Sequence, residues 1–92
     1  MIRSFKSKAL KLLATKGDSS KLKVPNVARV ELILGLLDAA ESPQDMAVPG
    51  LDRHQLKGAR RGTCSVSASG NYRITFEFED GHVTRVDLED YH

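Results

Sequence analysis

The sequence predicts an α+β fold in which two N-terminal helices pack on a small antiparallel sheet. Three observations carry that expectation. Apolar residues recur with a helical period in the first half of the chain, and the period changes to two after Pro49. Asp80-Gly81 then marks a tight hairpin between two strand segments. At 92 residues, 40% of them hydrophobic and 28% charged, the chain is expected to form one domain over 1–92 with a modest core.

Taken in order, Ile2 to Phe5 reads as a short strand. From Ser4 onward, Phe5, Ala9, Leu12 and Leu13 recur at i, i+4, i+7 and i+8, an amphipathic helix that Gly17 would stop. Asp18 to Lys23 is a polar connector. Val24-Pro25-Asn26 opens a second helix with Pro25 in its first turn, and Val27, Val30, Ile33, Leu34 and Leu37 form its apolar stripe. It should end near Ala40, after which Ser42-Pro43-Gln44-Asp45 looks like the cap of a single short turn. Val48-Pro49-Gly50 breaks the chain.

Strand patterning follows. Cys64, Val66 and Ala68 alternate with Ser65, Ser67 and Ser69, and Ser69-Gly70-Asn71 supplies turn chemistry. Tyr72, Ile74, Phe76 and Phe78 alternate with Arg73, Thr75, Glu77 and Glu79, and Thr84, Val86 and Leu88 mark the returning strand. With the helices on one sheet face, the other, carrying Arg73 and the serines, is left open to a ligand.

Several function classes are excluded by what the chain lacks. Its longest apolar run, Leu32 to Leu37, has six residues and cannot span a bilayer, so no membrane partner is expected. Met1 to Lys6 is basic but no apolar segment follows, so a cytoplasmic protein is expected. The one cysteine, Cys64, permits no internal disulfide and reads as a small core residue. There is no HExxH, CxxC, phosphate loop or GxSxG, and the three histidines share no ligand spacing with Cys64. Asp87 and Glu89 should share one strand face and Asp90 the other, which disperses a magnesium site. No metal and no cofactor are expected.

The net charge of +2 conceals four blocks: +7 over 1–29, −5 over 30–52, +5 over 53–73 and −5 over 74–92. Folded together, the basic blocks could form an anion-binding face; the plainer reading is solvated surface charge.

Histidines supply the candidate chemistry. His82, beside the Asp80-Gly81 turn, reads as structural. His54 is different, because Lys57, Arg60 and Arg61 follow it, and His92 ends a strand expected to pair with the one carrying Arg73. A meander can bring both imidazoles to one sheet edge beside these cations. Two groups titrating near neutrality can serve as proton acceptor and donor, while Lys and Arg stabilise an anionic transition state. That set suits RNA cleavage through the 2′-hydroxyl, with Tyr91 stacking on a base or bonding a phosphate. For each histidine taken alone, a surface or core role is the plainer reading.

The segments Leu56-Lys57-Gly58, Arg61-Gly62, Ser65-Val66, Asn71-Tyr72-Arg73-Ile74-Thr75-Phe76 and Glu89-Asp90-Tyr91-His92 resemble a HigB-type toxin of the RelE/ParE toxin–antitoxin superfamily. Met1 to Phe5 and Leu36 to Ala40 also fit, so the resemblance runs the full length. It implies a compact microbial-ribonuclease-like fold and cleavage of messenger RNA in the A site of the 70S ribosome. It further implies a helix-turn-helix antitoxin of the HigA type, with operator DNA bound only through that complex. By the resemblance, His54, Asp90, Tyr91 and His92 are catalytic, and Lys57, Arg60, Arg61 and Arg73 hold RNA phosphates. Lys8, Lys11, Lys16, Lys21 and Lys23 would face ribosomal RNA. Gly62-Thr63-Cys64-Ser65 departs from relatives with an aromatic pair there, and Tyr72 replaces a commoner Trp. Relatives on the same fold inhibit DNA gyrase without acid–base residues, and an inactive, antitoxin-binding relative is a third possibility; the Asp90-Tyr91-His92 end favours the nuclease.

Overall fold

In the computed structural model, which describes residues 1–90, the second half of the chain is one antiparallel sheet. Its order is β1 (His54–Gln55), β2 (Thr63–Ser69), β3 (Tyr72–Glu79), β4 (His82–Asp90). Alternation dictates its faces. Ile74 and Phe76 point to the core and are fully buried, while Arg73, Thr75 and Glu77 point to the opposite face. Asp80 and Gly81 both take positive φ, 53° and 78°, and join the Glu79–His82 pair as the sequence predicts.

The sheet has two irregularities. Between the Thr75–Asp87 and Glu77–Thr84 pairs, β4 carries one extra residue, and Arg85 there adopts φ 54°. A register shift between Ser67 and Ser69 pairs Ser69 with Tyr72, and the Ser69 hydroxyl accepts the Asn26 N–H at 2.7 Å. Ser69 therefore leaves the serine face on which simple alternation placed it.

Ile2 to Phe5 forms two isolated parallel bridges to β4, Ile2 with Val83 and Phe5 with Val86. Arg3 and Lys6 donate their N–H groups to the Val83 and Val86 carbonyls at 2.7 and 2.8 Å. This pairing holds Phe5 outside the first helix, so α1 spans Lys8–Lys16 and begins later than Ser4. The Ser7 hydroxyl caps it, accepting the Leu10 N–H at 3.2 Å, and Leu10 with Leu13 forms its buried side. Gly17, at φ 67°, closes it as expected.

α2 spans Val27–Ala39, and the Asn26 side chain accepts the Arg29 N–H at 3.1 Å. Pro25 thus precedes the cap instead of occupying the first turn. Val30, Ile33, Leu34 and Leu37 meet Leu10, Leu13 and the inner sheet face in one core that also takes in Cys64 and Met46. Fully burying an aromatic or branched side chain contributes about 1.5–3 kcal/mol, and Phe76, Leu10 and Ile33 are the largest such groups. Ser42 and Asp45 close the short 3₁₀ turn Pro43–Met46, the Asp45 carboxylate accepting the Ser42 N–H at 3.3 Å. Among the described residues, no helix is long and apolar enough to cross a membrane.

Candidate functional site

The sequence places His54 ahead of the sheet; in the structure it is part of it. Leu51 is buried, its carbonyl accepts the Ser67 N–H at 2.6 Å, and the Leu56 N–H reaches the Thr63 carbonyl at 2.8 Å. Between these anchors β1 pairs His54 with Ser65. Ser65 in turn pairs with Thr75, so His54 shares the face that carries Arg73 and Thr75.

Asp52 ties this corner together, and its spacing from His54 and Arg73 gave no sign of it. It sits at φ 51°, a left-handed conformation that Asp tolerates better than most residues. Its Oδ1 lies 3.1 Å from His54 Nε2 and its Oδ2 3.5 Å from Arg73 Nη1. Its carbonyl accepts Arg73 Nη2 at 2.6 Å, and Arg73 Nε donates to the Ser65 hydroxyl at 3.0 Å. Arg73 is consequently held nearly buried, at 15% exposure, whereas His54 and Asp52 stand 61% and 64% exposed. A carboxylate facing Nε2 favours a proton there and leaves Nδ1 as the accepting nitrogen of a neutral ring.

A second group lies nearby on the same face. Arg60 Nη1 donates to Glu89 Oε1 at 2.8 Å, Arg60 Nη2 pairs with Glu89 Oε2, and the Thr75 hydroxyl donates to Oε2 at 2.7 Å. Arg60's hydrogen bonds, with those of Thr75 and the charges of Arg60 and Lys6, hold the Glu89 carboxyl below its ordinary value, against partial desolvation. Glu89 pairs with Arg73 across β3 and β4, so the two groups adjoin. The serine face is therefore less open than alternation implied: Ser65 and Thr75 are buried beneath these charged side chains.

The other expected residues are placed as follows. Lys57 and Arg61 flank the 3₁₀ turn Gly58–Arg60 and are exposed. Asp90 is exposed and pairs with Tyr72, on the opposite sheet face from Asp87 and Glu89, as the sequence indicated. Tyr91 and His92 lie outside the described residues. β1 and β4 are opposite edges of the sheet, so no single edge gathers His54 with the strand leading to His92. Lys8, Lys11 and Lys16 lie on α1, and Lys21 and Lys23 on the connector, all exposed; α1 belongs to the helical layer, apart from Arg73. Cys64 is in the core, His82 is half-buried, and Tyr72 packs against the core. Among the described residues, no three His, Cys, Asp or Glu side chains converge as a metal site.

Residues 3–92 match the family described as the RelE-like toxin of the type II toxin–antitoxin system HigB. The chain belongs to that family. Across all 92 residues of both chains the toxin is 39% identical to a protein of Proteus vulgaris named Endoribonuclease HigB. Over 49 residues, 52% of each chain, it is 37% identical to Toxin HigB-1 of Vibrio cholerae serotype O1. Membership implies that the toxin's partner is an antitoxin, and the two-helix, four-strand architecture agrees with a RelE-like fold.

Proposed function

We propose that the toxin is an endoribonuclease that cuts messenger RNA in the ribosomal A site by metal-independent transesterification, working in the cytoplasm. The observation that carries this reading is the Asp52–His54–Arg73 cluster, an oriented imidazole beside a pre-positioned guanidinium on one sheet face. The name of the Proteus vulgaris relative supports the same activity. In the reaction, a general base removes the 2′-hydroxyl proton and the resulting alkoxide attacks the adjacent phosphorus. The 5′-oxygen leaves with a proton from a general acid, and a 2′,3′-cyclic phosphate remains.

His54 is one of the two proton-transfer groups; Asp90 lies on the opposite sheet face from Arg73, so the other comes from the remainder of the Asp90-Tyr91-His92 end, Tyr91 or His92. Arg73 stabilises the charge that builds on the phosphate oxygens, with Lys57, Arg60 and Arg61 holding neighbouring phosphates. The exposed lysines at 8, 11, 16, 21 and 23 dock on ribosomal RNA. A HigA-type helix-turn-helix antitoxin neutralises the toxin and carries the complex to operator DNA.

Cell-free translation with purified toxin, followed by mapping of message 5′ ends, tests the proposal. Cuts should appear within codons only when ribosomes are present. Intact transcripts beside impaired DNA supercoiling would instead identify a gyrase inhibitor. His54→Ala and His92→Gln should each slow cleavage about 10²–10⁴-fold while the fold melts normally.

A further inference from the structure

Arg29 belongs to the most basic block of the sequence, yet its charge is turned inward. It stands half-buried in the first turn of α2, where the Asn26 side chain caps its N–H. The Asn26 N–H is itself tied to the Ser69 hydroxyl at 2.7 Å, which seats this helix end over β2. From there Arg29 Nη2 donates to two backbone carbonyls, Gly50 at 2.7 Å and Ser67 at 3.1 Å. A terminal guanidinium nitrogen carries two hydrogens, so both carbonyls are served at once.

Strand register shows what this bridge replaces. His54 pairs with Ser65 and Gln55 with Cys64, and the Leu56 N–H meets the Thr63 carbonyl. Carried on in steps of two residues, that ladder would set Asp52 opposite Ser67, the two exchanging N–H and carbonyl bonds. Instead the Ser67 N–H goes to the Leu51 carbonyl, one residue early, at 2.6 Å. Asp52 is thereby extruded as a bulge with φ 51°, and its carbonyl turns to Arg73 Nη2 at 2.6 Å. The donor that a regular strand would offer the Ser67 carbonyl is supplied by Arg29. Without it, that carbonyl would be left to draw the Asp52 N–H back into the ladder.

We propose that Arg29 is a positioning residue for cleavage. By holding Gly50 and Ser67 from the helical layer it keeps Asp52 extruded, and the extruded Asp52 orients His54 and Arg73. The inference rests on the assignment of cleavage to that cluster. Arg29 itself touches no substrate; it acts through Asp52.

The test is single-turnover cleavage on message-programmed ribosomes, with rate and half-saturation measured separately and thermal melts run beside them. Folded Arg29→Met should cut about ten-fold more slowly at saturation, with half-saturation within about two-fold of wild type. Added to Asp52→Asn, it should cost at most about two-fold beyond the slower single variant, whereas independent effects would multiply. A wild-type rate in folded Arg29→Met overturns the proposal and leaves a role in stability alone. A multiplied loss in the double variant overturns it too, as does a raised half-saturation in place of a lower rate, the mark of direct RNA contact. If Arg29→Met does not fold, Arg29→Lys takes its place. That variant keeps the charge, but an ammonium does not reproduce the guanidinium fork, so a rate about three-fold lower is expected and the same outcomes decide. Should wild-type toxin cut no message, the cleavage reading fails by itself. The Arg73 Nε–H resonance, which needs no substrate, then judges the positioning: it should shift in the Arg29 variant, and an unmoved resonance overturns the proposal.

Discussion

At the scale of single residues, Asp52 is the one that changes the reading of the site. His54 alone is an exposed histidine; His54 with its Nε2 against a carboxylate that also contacts Arg73 is an oriented group. Asp52→Asn separates charge from backbone, because Asn tolerates the φ of 51° as well as Asp does. Message cleavage should fall about ten-fold with thermal stability retained, a smaller loss than removing the imidazole itself. Wild-type cleavage in that variant would show that the carboxylate does not act through His54. Glu89 supports a prediction about pH. Its carboxyl is lowered in the folded chain, so its contribution is present above the ordinary glutamate value of 4.5 and is lost as pH falls through the folded value. Thermal melts should therefore lose stability on the acid side of that value, and Arg60→Gln should remove part of the slope. With Arg60 44% and Glu89 23% exposed, solvent screening limits the effect to about 1 kcal/mol or less.

At the scale of elements, regular alternation and its interruptions divide the labour. β3 is an uninterrupted alternating strand, and it carries Phe76 into the core and Arg73 to the site. β4 accommodates an extra residue at Arg85, whose left-handed backbone is unfavourable for an arginine. Arg85→Gly should relieve that strain and raise stability by about 0.5–1 kcal/mol, a few degrees in the melting midpoint of a chain this size. The weak Arg85–Glu77 pair at 3.8 Å offsets little of the gain. A lower midpoint would mean that the arginine side chain contributes more than its backbone costs. The alternation of β3 is legible because neighbouring residues determine it. The extra residue in β4 is not, because only pairing with β3 and with Ser4–Lys6 reveals it.

At the scale of the whole molecule, the charge blocks acquire places. The basic block over 53–73 supplies Arg60 and Arg73 to the sheet face, and Asp52 and Glu89, from the two acidic blocks, meet them there. The site is thus internally neutralised to a large degree, which disfavours capture of naked RNA by charge alone. The block over 1–29 keeps its exposed lysines on the helical side. Replacing Lys8, Lys11 and Lys16 by Gln should flatten the salt dependence of ribosome association by up to about one unit of log–log slope per lost phosphate contact. Sedimentation over a salt series would measure it, and an unchanged slope would remove these lysines from the docking surface. Helix formation should survive, since none of the three is buried.

By itself the sequence determined the α+β class, both helices, the three long strands, the hairpin at Asp80-Gly81 and the family resemblance. Each rests on periodicity, turn chemistry or a motif, which are properties of residues close together in the chain. Only the tertiary structure decided that Phe5 leaves the first helix to join β4, that Leu51 to Leu56 is stitched onto β2, and that Asp52 holds both His54 and Arg73. It also decided that Arg60 meets Glu89, 29 residues further on. These arrangements depend on strand register between distant segments, and a register is selected by the packing of the whole core rather than by any local pattern.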